Sequence, residues 1–290
     1  MQLRNPTVLA VLASASLLMA CFGDNTDDGE EGQLPDGTPS ILDIAGPEDT
    51  DAGDSLDLTV NLKGKANEQL SVAIDATLGS FTPQSKVIIT DDKGDGVFAT
   101  RYTNGGTAGL DTITANVSSL STAGKSLTKA LTIFDVERLG NVTPIASPVA
   151  ETASYLIVYP FELPAPRTLR KVAIIAPQAA TAQIGVYSSS AGDAMTAKPV
   201  DALVRVTANL VVGANEISVP SMDLAAGRYW MAVAYSGTPL VRKVSPPIGT
   251  TLYGWRITTY TFSSGLPDKL DTLVEPTTLS LRNFYLVLRK

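Results

Sequence analysis

The chain has no histidine and only one cysteine, Cys21, so any chemistry must come from other residue types. Histidine is the commonest general base and the commonest imidazole metal ligand. Its absence excludes Ser-His-Asp catalysis, and with a single cysteine it also excludes zinc sites built from histidine or cysteine. We therefore expect neither a metal nor a cofactor.

Carboxylates are the acid–base groups that remain. Paired carboxyl groups can cleave a glycosidic bond without histidine when they lie about 5 to 9 Å apart. The acids after residue 150 are few, and none belongs to a catalytic motif: Glu151, Glu162, Asp193, Asp201, Glu216, Asp223, Asp268, Asp271 and Glu275. We predict a protein without enzymatic activity, and a carboxylate-type glycoside hydrolase is the least favoured alternative.

Two acidic clusters in the first half of the chain invite a calcium assignment. The run from Asp91 to Gly96 is not an EF-hand, because its third and twelfth loop positions are Lys93 and Tyr102 instead of an oxygen ligand and a glutamate. A hairpin turn explains that run. The set Asp49, Asp51 and Asp54 is a better candidate for a weak cation site, although a solvated acidic loop is the simpler interpretation.

The aromatic residues are concentrated in the second half, where both tryptophans and eight of the nine tyrosines lie beyond residue 150. Aromatic rings stack well on flat apolar faces, including those of sugars. Trp230 alternates with other apolar residues along a predicted strand and is expected to fill the core. Four residues after the loop at 246–249 mix aromatic rings with a cation and suit a partly exposed ligand platform: Tyr253, Trp255, Arg256 and Tyr260. Packing in a core or an interface is the alternative.

Cys21 ends the sequence Leu18-Met19-Ala20-Cys21, directly after a mostly apolar stretch that begins at Thr7. That stretch is shorter than the roughly 20 residues that span a bilayer, so it suits a cleaved signal peptide. The four residues resemble the lipobox of bacterial lipoproteins. The resemblance implies removal of residues 1–20 and acylation of Cys21, which would hold the protein on a membrane. An ordinary secretory signal with a chance cysteine is the alternative.

Residues 21–39 read as a tether between this anchor and the first folded part. They carry six acids and no base, a composition that cannot bury enough apolar surface to fold. Fully extended, the tether would reach about 60 Å. Phe22, in the place after the cysteine, resembles the outer-membrane lipoproteins of Gram-negative bacteria. We therefore expect an exported protein, lipid-anchored to the outer membrane or cell surface of such a bacterium.

Residues 40–136 show apolar and polar residues in alternation, most clearly from Ser55 to Leu62. Further short alternating runs follow, separated by Gly-, Asn- and Asp-rich turns, and about seven such strands in about 100 residues predict an immunoglobulin-like sandwich. The segments 52–56, 76–82, 90–94, 102–103 and 108–115 also resemble, in this order, a bacterial Ig-like domain of the invasin/intimin type (Big-1). The resemblance implies a stalk module that projects an adhesive tip from the cell surface.

Residues 137–150 read as a linker, because Gly140, Pro144 and Pro148 interrupt any regular pattern. Eight strands are predicted in residues 151–290, which suggests a jelly-roll sandwich. The runs 184–188, 213–220 and 224–232 resemble jelly-roll domains of secreted bacterial proteins and are similar in plan to carbohydrate-binding modules. The fold class is therefore all-β, with an Ig-like sandwich followed by a jelly roll.

The formal charge of −7 is distributed unevenly. Residues 40–136 hold 13 acids and 7 bases, whereas residues 137–290 hold 10 acids and 14 bases. The bases are scattered singly, which makes nucleic acid an improbable partner. We predict a cell-surface lipoprotein that acts in adhesion or glycan binding. A structural or assembly component that binds another envelope protein is the alternative.

Overall fold

The computed structural model describes residues 38–290 except Ser121, Ala123, Ser147, Thr152, Ala153, Ala194 and Gly249. The predicted signal peptide, Cys21 and nearly all of the predicted tether lie outside the described residues. No helix with the length and hydropathy of a membrane-spanning segment occurs in the described part of the chain. Apart from one short 3-10 turn at Phe262–Ser264, the regular structure described there is β-strand.

Nine strands build the first sandwich. They are β1 (Ser40–Ala45), β2 (Asp49–Asp51), β3 (Ser55–Lys63), β4 (Gln69–Ala76), β5 (Gly79–Thr82), β6 (Ser85–Ile89), β7 (Asp95–Asn104), β8 (Gly109–Ser119) and β9 (Ser126–Phe134). One sheet has the order β1-β3-β7-β5 and the other β2-β9-β8-β4-β6. In immunoglobulin lettering these sheets are A-B-E-D and a sheet centred on G-F-C, so the predicted Ig-like sandwich is confirmed.

The core of the first sandwich follows from the alternation in the sequence. Leu58, Val60 and Leu62 of β3 are at most 1 % exposed, while the residues between them face outward. Phe98 and Tyr102 of β7 lie on the inner face of the same sheet and are fully buried. Each such side chain contributes about 1.5 to 3 kcal/mol on burial, and in a chain with one cysteine no internal disulfide supplements this core.

Thirteen strands follow. They are β10 (Val136–Gly140), β11 (Pro148–Ala150), β12 (Leu156–Leu163), β13 (Arg167–Ala176), β14 (Ala180–Ser189), β15 (Pro199–Leu210), β16 (Gly213–Leu224), β17 (Gly227–Tyr235), β18 (Leu240–Val244), β19 (Tyr253–Ile257), β20 (Glu275–Thr278), β21 (Leu281–Arg282) and β22 (Phe284–Arg289). The two large sheets have the orders β10-β22-β13-β16 and β15-β14-β17-β12-β19-β20. Strands β11, β18 and β21 form a small third sheet.

The strand order of this second sandwich is that of a jelly roll. The eight main strands are, in chain order, β10, β12, β13, β14, β15, β16, β17 and β22. The first sheet holds the first, eighth, third and sixth of them, and the second sheet holds the second, seventh, fourth and fifth. That order is two Greek keys wound together. Strands β19 and β20 extend the second sheet at its β12 edge. The predicted fold class, an Ig-like sandwich followed by a jelly roll, is therefore confirmed.

The range 137–150, predicted as a linker, holds the first strand of the jelly roll. Strand β10 pairs with β22 along its whole length, from Val136 opposite Arg289 to Gly140 opposite Tyr285. Gly140 has a φ of +124°, and a Cβ atom there would lie 2.5 Å from the Phe284 carbonyl oxygen. The glycine that interrupts the sequence pattern is thus required where two strands approach closely.

Two other predicted strands are shorter in the structure. The run 252–262 is a strand only at Tyr253–Ile257, because the chain then turns to pack Tyr260 into a buried cluster. The run 279–288 is divided at Asn283, which is 2 % exposed. The Asn283 side-chain amide donates hydrogen bonds to the carbonyl oxygens of Asn141 and Thr143, so it holds a loop instead of facing the solvent.

The strands β12, β14 and β17 of the six-stranded sheet are buried on both faces. The inner face of this sheet contributes to the main core between the two sheets. Its outer face is covered by the segments 190–198 and 258–274, which close a second core over the sheet. The members of this outer core include Tyr187, Trp230, Trp255, Tyr260 and Leu270. Much of the aromatic content of this half is therefore structural.

Candidate functional site

The four residues of the predicted platform do not form an exposed aromatic surface together. Trp255 is 5 % exposed, and its Nε1 donates a hydrogen bond to the Ala197 carbonyl oxygen at 2.9 Å. Tyr260 is 7 % exposed and donates its hydroxyl to Gln183 Oε1. Arg256 and Tyr253 are both half-buried on β19. The expectation of an exposed Trp255 and Tyr260 is wrong, because segment 258–274 folds back over the sheet.

A groove beside these residues keeps part of the predicted site accessible. Tyr253 and Trp255 point to the same side of β19, and their partners on β20 are Thr278 and Pro276. Met195, in the connection between β14 and β15, is 58 % exposed and lines the same groove. The groove has a volume of about 320 Å³, which is in the range of small-molecule sites. Ligand contact by Tyr253 stays a prediction.

The acids of the second sandwich are mostly held in ion pairs. Glu216 accepts a hydrogen bond from Arg138 at 2.8 Å and lies 3.5 Å from Lys171. Burial alone would raise the pKa of Glu216, but these two cations lower it below its ordinary value. A general acid needs the opposite shift. Glu151 is likewise buried against Arg282 and lies 3.4 Å from Lys243.

The acidic residues Asp49, Asp51 and Asp54 of the first sandwich form ion pairs with arginine and lysine side chains of the second. Asp51 is 3 % exposed, and its Oδ1 lies 2.7 Å from Arg289 Nη2 and 2.8 Å from Arg289 Nε. Its Oδ2 accepts a hydrogen bond from Arg170 Nε at 3.0 Å. Asp49 also pairs with Arg289 at 3.0 Å, and Asp54 pairs with Lys171 at 2.6 Å. We call this set of six residues the charged junction.

An aromatic contact completes the charged junction. The Arg289 guanidinium carbon lies 3.7 Å from the centroid of the Phe134 ring, at the end of β9. Arg289 is thus held between two carboxylates and an aromatic face, a combination that uses the planar shape of guanidinium. Next to it, the Lys290 ammonium pairs with Asp135 at 2.8 Å. Lys290 lies 155 residues from Asp135 in the sequence, and Arg289 lies 238 residues from Asp51.

The charged junction replaces the weak cation site suggested by Asp49, Asp51 and Asp54. Their carboxylates are satisfied by arginine and lysine side chains of the same chain, so they do not converge on a space for an ion. The part of the chain that the structure describes contains no group of three or more Cys, Asp or Glu side chains that could hold a metal ion. The sequence did not predict a role for Arg170, Lys171 and Arg289. The net negative charge of residues 40–136 and the net positive charge of residues 137–290 are the signal that favoured ion pairs between the two sandwiches.

Comparisons with known proteins assign no family. No protein-family model matches the chain, and no curated protein matches it. The chain is similar to the structure of the Yersinia pseudotuberculosis adhesin InvE, with 13 % identity over 84 % of this chain and 58 % of InvE and a TM-score of 0.25. The C-terminal domain of the Streptococcus agalactiae AgI/II polypeptide BspA shares 11 % identity over 88 % of this chain and 100 % of that domain, with a TM-score of 0.22.

A Porphyromonas gingivalis W83 protein of unknown function has 10 % identity, covers 85 % of this chain and 100 % of its own, and has a TM-score of 0.26. The chain spans little more than half the length of the InvE structure. TM-scores this low do not support a fold assignment. The assignment rests instead on the strand orders of the two sandwiches.

Proposed function

We propose that this chain is a non-enzymatic lipoprotein of the bacterial cell surface. In this proposal the Ig-like sandwich is a stalk, and it presents the jelly roll for adhesion or glycan binding. The observation that carries the proposal is the charged junction, which joins the jelly roll to one end of the Ig-like sandwich by ion pairs to the buried Asp51 carboxylate. The anchor itself is inferred from Cys21 and its flanking residues.

The direction of the strands supports a stalk role. The chain reaches β1 at Ser40, which pairs with Lys63 at the far end of β3. The junction lies at the other end of the sandwich, where Asp51 pairs with Phe134 just before β10 begins. The nine residues of β3 separate these two ends by about 30 Å. The jelly roll therefore joins the first sandwich at the end opposite Ser40, as a stalk role requires.

Replacement of the lipidation residue tests the anchor. We expect Cys21→Ser to release the protein from the membrane fraction, because no thiol remains for acylation and the described residues contain no membrane-spanning helix. The measurement is membrane fractionation, together with mass spectrometry of the native N-terminus. Phe22→Asp is the matched variant, and it should keep the lipid but shift the protein to the inner membrane. An intact Met1 in mature protein, or an unmodified Cys21, would rule the anchor out.

Surface exposure needs its own measurement. Treatment of intact cells with an added protease should remove the protein when it faces outward, and a periplasmic protein of known location serves as the control. Complete protection of this chain would place it inside the envelope and would favour the second candidate function below.

The second candidate is a structural or assembly component of the envelope, and the edge strand β6 favours it. Strand β6 is the last strand of its sheet, so one side of its backbone has no strand beside it in the described structure. Val87 and Ile89 on this strand are 53 % and 72 % exposed. Such an edge can pair with a strand of another protein. Cross-linking from β6 to one envelope protein, lost in Val87→Lys, would support this role.

A further inference from the structure

The positive charges of the second sandwich are almost all neutralised by carboxylates. Residues 137–290 contain 14 lysines and arginines. Eleven of these have a carboxylate oxygen within 3.5 Å: Arg138, Arg167, Arg170, Lys171, Arg205, Arg228, Lys243, Lys269, Arg282, Arg289 and Lys290. Within the described residues the other three, Lys198, Arg242 and Arg256, have no such partner.

Lys198 is the exposed member of these three. It contacts Trp255, one of the residues that line the groove of Tyr253. Its ammonium is 5.5 Å from the centroid of the Trp255 ring. The loop that carries Lys198 is fixed, because the Ala197 carbonyl accepts the Trp255 indole N–H and the Lys198 backbone N–H bonds to Ser190 Oγ at 2.9 Å. A cation–π contact at an exposed site contributes only about 0.5 to 1 kcal/mol. The ammonium therefore remains available to an anion.

The groove offers three kinds of contact in one place. Tyr253, Met195 and Pro276 supply apolar surface, including a half-buried aromatic ring. Thr277 and Thr278 supply hydroxyl groups that can donate and accept hydrogen bonds. Lys198, next to the groove residue Trp255, supplies the positive charge. A saturated ring with C–H groups on one face, hydroxyls on its rim and a carboxylate would use all three.

We propose that this groove binds a saccharide that carries a carboxylate, such as a uronic acid unit of an acidic polysaccharide. The sugar face stacks on Tyr253, the threonines bond its hydroxyls, and its carboxylate pairs with Lys198. This inference rests on the proposed role in glycan binding and names the ligand class. Because the whole chain carries a formal charge of −7, recognition of a polyanion has to be local to an unpaired cation.

A second surface groove, of about 440 Å³, has no unpaired cation among the described residues that line it. Its lining includes Ser188, Ser190 and Arg228, but the Arg228 guanidinium pairs with Glu162 and donates to the Asp193 carbonyl oxygen. Arg228 is the one cation among the described residues that line this groove, and it is thus already neutralised. An acidic ligand gains a free positive charge at Lys198 and none there.

The test compares a free acid with its ester on the full-length protein in detergent micelles. Oligogalacturonate and its methyl ester have the same rings and hydroxyls but differ in charge. We expect the wild-type protein to bind the free acid at least about fivefold more tightly than the ester, as measured by calorimetry at low salt. Lys198→Gln should abolish that preference, Lys198→Arg should keep it, and Tyr253→Ala should weaken binding of both probes.

Lys269→Gln is the matched control, since Lys269 is an exposed lysine of the same sandwich that already pairs with Asp201 at 3.3 Å. It should leave the preference for the free acid unchanged. Equal binding of acid and ester, absence of binding to both, or a preference that survives Lys198→Gln would overturn the inference. None of these outcomes changes the results expected from membrane fractionation or from protease treatment of intact cells. An error in the proposed ligand can therefore be distinguished from an error in the proposed localisation.

Discussion

Replacing Arg289 with alanine is expected to lower the free energy of unfolding by about 3 kcal/mol. The change leaves Asp51, which is 3 % exposed, with Arg170 as its only cation within 4.0 Å in the described structure, and it strips Phe134 of its stacked guanidinium. Removing one partner of a buried pair is costly because the remaining charge is left without compensation. Chemical denaturation of purified wild-type and variant protein measures the difference.

The same variant should separate the unfolding of the two sandwiches. In the wild-type protein the junction couples them. We therefore expect one denaturation transition, whether unfolding is followed by hydrogen exchange of the backbone amides of the first sandwich or by tryptophan fluorescence of the second. Both tryptophans lie in the second sandwich, so their emission reports on that sandwich alone. In Arg289→Ala the two probes should no longer coincide, because the junction no longer transmits stability between the sandwiches.

Arg101→Ala is the control for the junction. Arg101 pairs with Asp57 at 3.3 Å, but both side chains are more than half exposed. Solvent-exposed pairs contribute about 0 to 1 kcal/mol, so this variant should unfold almost as the wild type does. If both arginine variants lost the same small amount of stability and kept a single transition, the charged junction would not hold the sandwiches together.

Replacing Asp111 with alanine is expected to cost about 3 kcal/mol in the first sandwich. Asp111 is fully buried and has no cation as a partner in the described structure. It accepts hydrogen bonds from the Thr77 backbone N–H at 2.8 Å, the Thr77 hydroxyl at 2.6 Å, the Leu78 N–H at 3.0 Å and the Tyr102 hydroxyl. The variant leaves the hydroxyl of the fully buried Tyr102 without this acceptor, and it removes the acceptor of the Thr77 and Leu78 donors, which are only partly buried.

Asp111 also makes stability depend on pH. Burial acts to raise the pKa of this carboxyl, but the four donors outweigh burial and lower the pKa below its ordinary value. A lowered pKa in the folded state means that the stabilisation is complete above the unfolded-state pKa and is lost as pH falls through the folded-state pKa. Wild-type protein should therefore lose stability below about pH 4, and Asp111→Ala should lose less over that range.

Asp91→Asn is the matched control for this pH effect. The pKa of Asp91 is also lowered, chiefly by a hydrogen bond from the Asp95 backbone N–H, but Asp91 is exposed in a turn. Its replacement should leave the free energy of unfolding almost unchanged, because surface substitutions of this kind have small effects. A wild-type pH profile that remained unchanged in Asp111→Ala would show that other groups govern the acid sensitivity.

Alternation along single strands was readable from the sequence because it is a local property. The run Ser55 to Leu62 predicted β3, and the run Val97 to Tyr102 predicted the centre of β7. In both strands the residues two apart lie on the buried face, so the chain itself carries the inside–outside pattern. The short strands β2 and β5 escaped prediction, because three or four residues hold too little periodicity and depend on a distant partner.

The strand that carries the candidate site could be predicted from the local sequence, but the exposure of its aromatic rings could not. Tyr253 and Trp255 were placed on one strand by their sequence, and the structure agrees on that strand. Whether their rings face solvent was decided by segment 258–274, which returns over the sheet and covers Trp255 and Tyr260. The sequence does not indicate this return, because a covering loop has no periodic pattern of its own.

What the sequence determined by itself was the β-strand content, the Ig-like and jelly-roll plans and the chemistry that the missing histidines exclude, since each depends on composition or on spacing between near neighbours. Only the tertiary structure decided that Asp51 and Arg289 form one ion pair across 238 residues, and that Lys198 is left without a carboxylate. Pairing of charges depends on which surfaces the folded strands bring together, and long-range contacts of that kind leave no local trace along the chain.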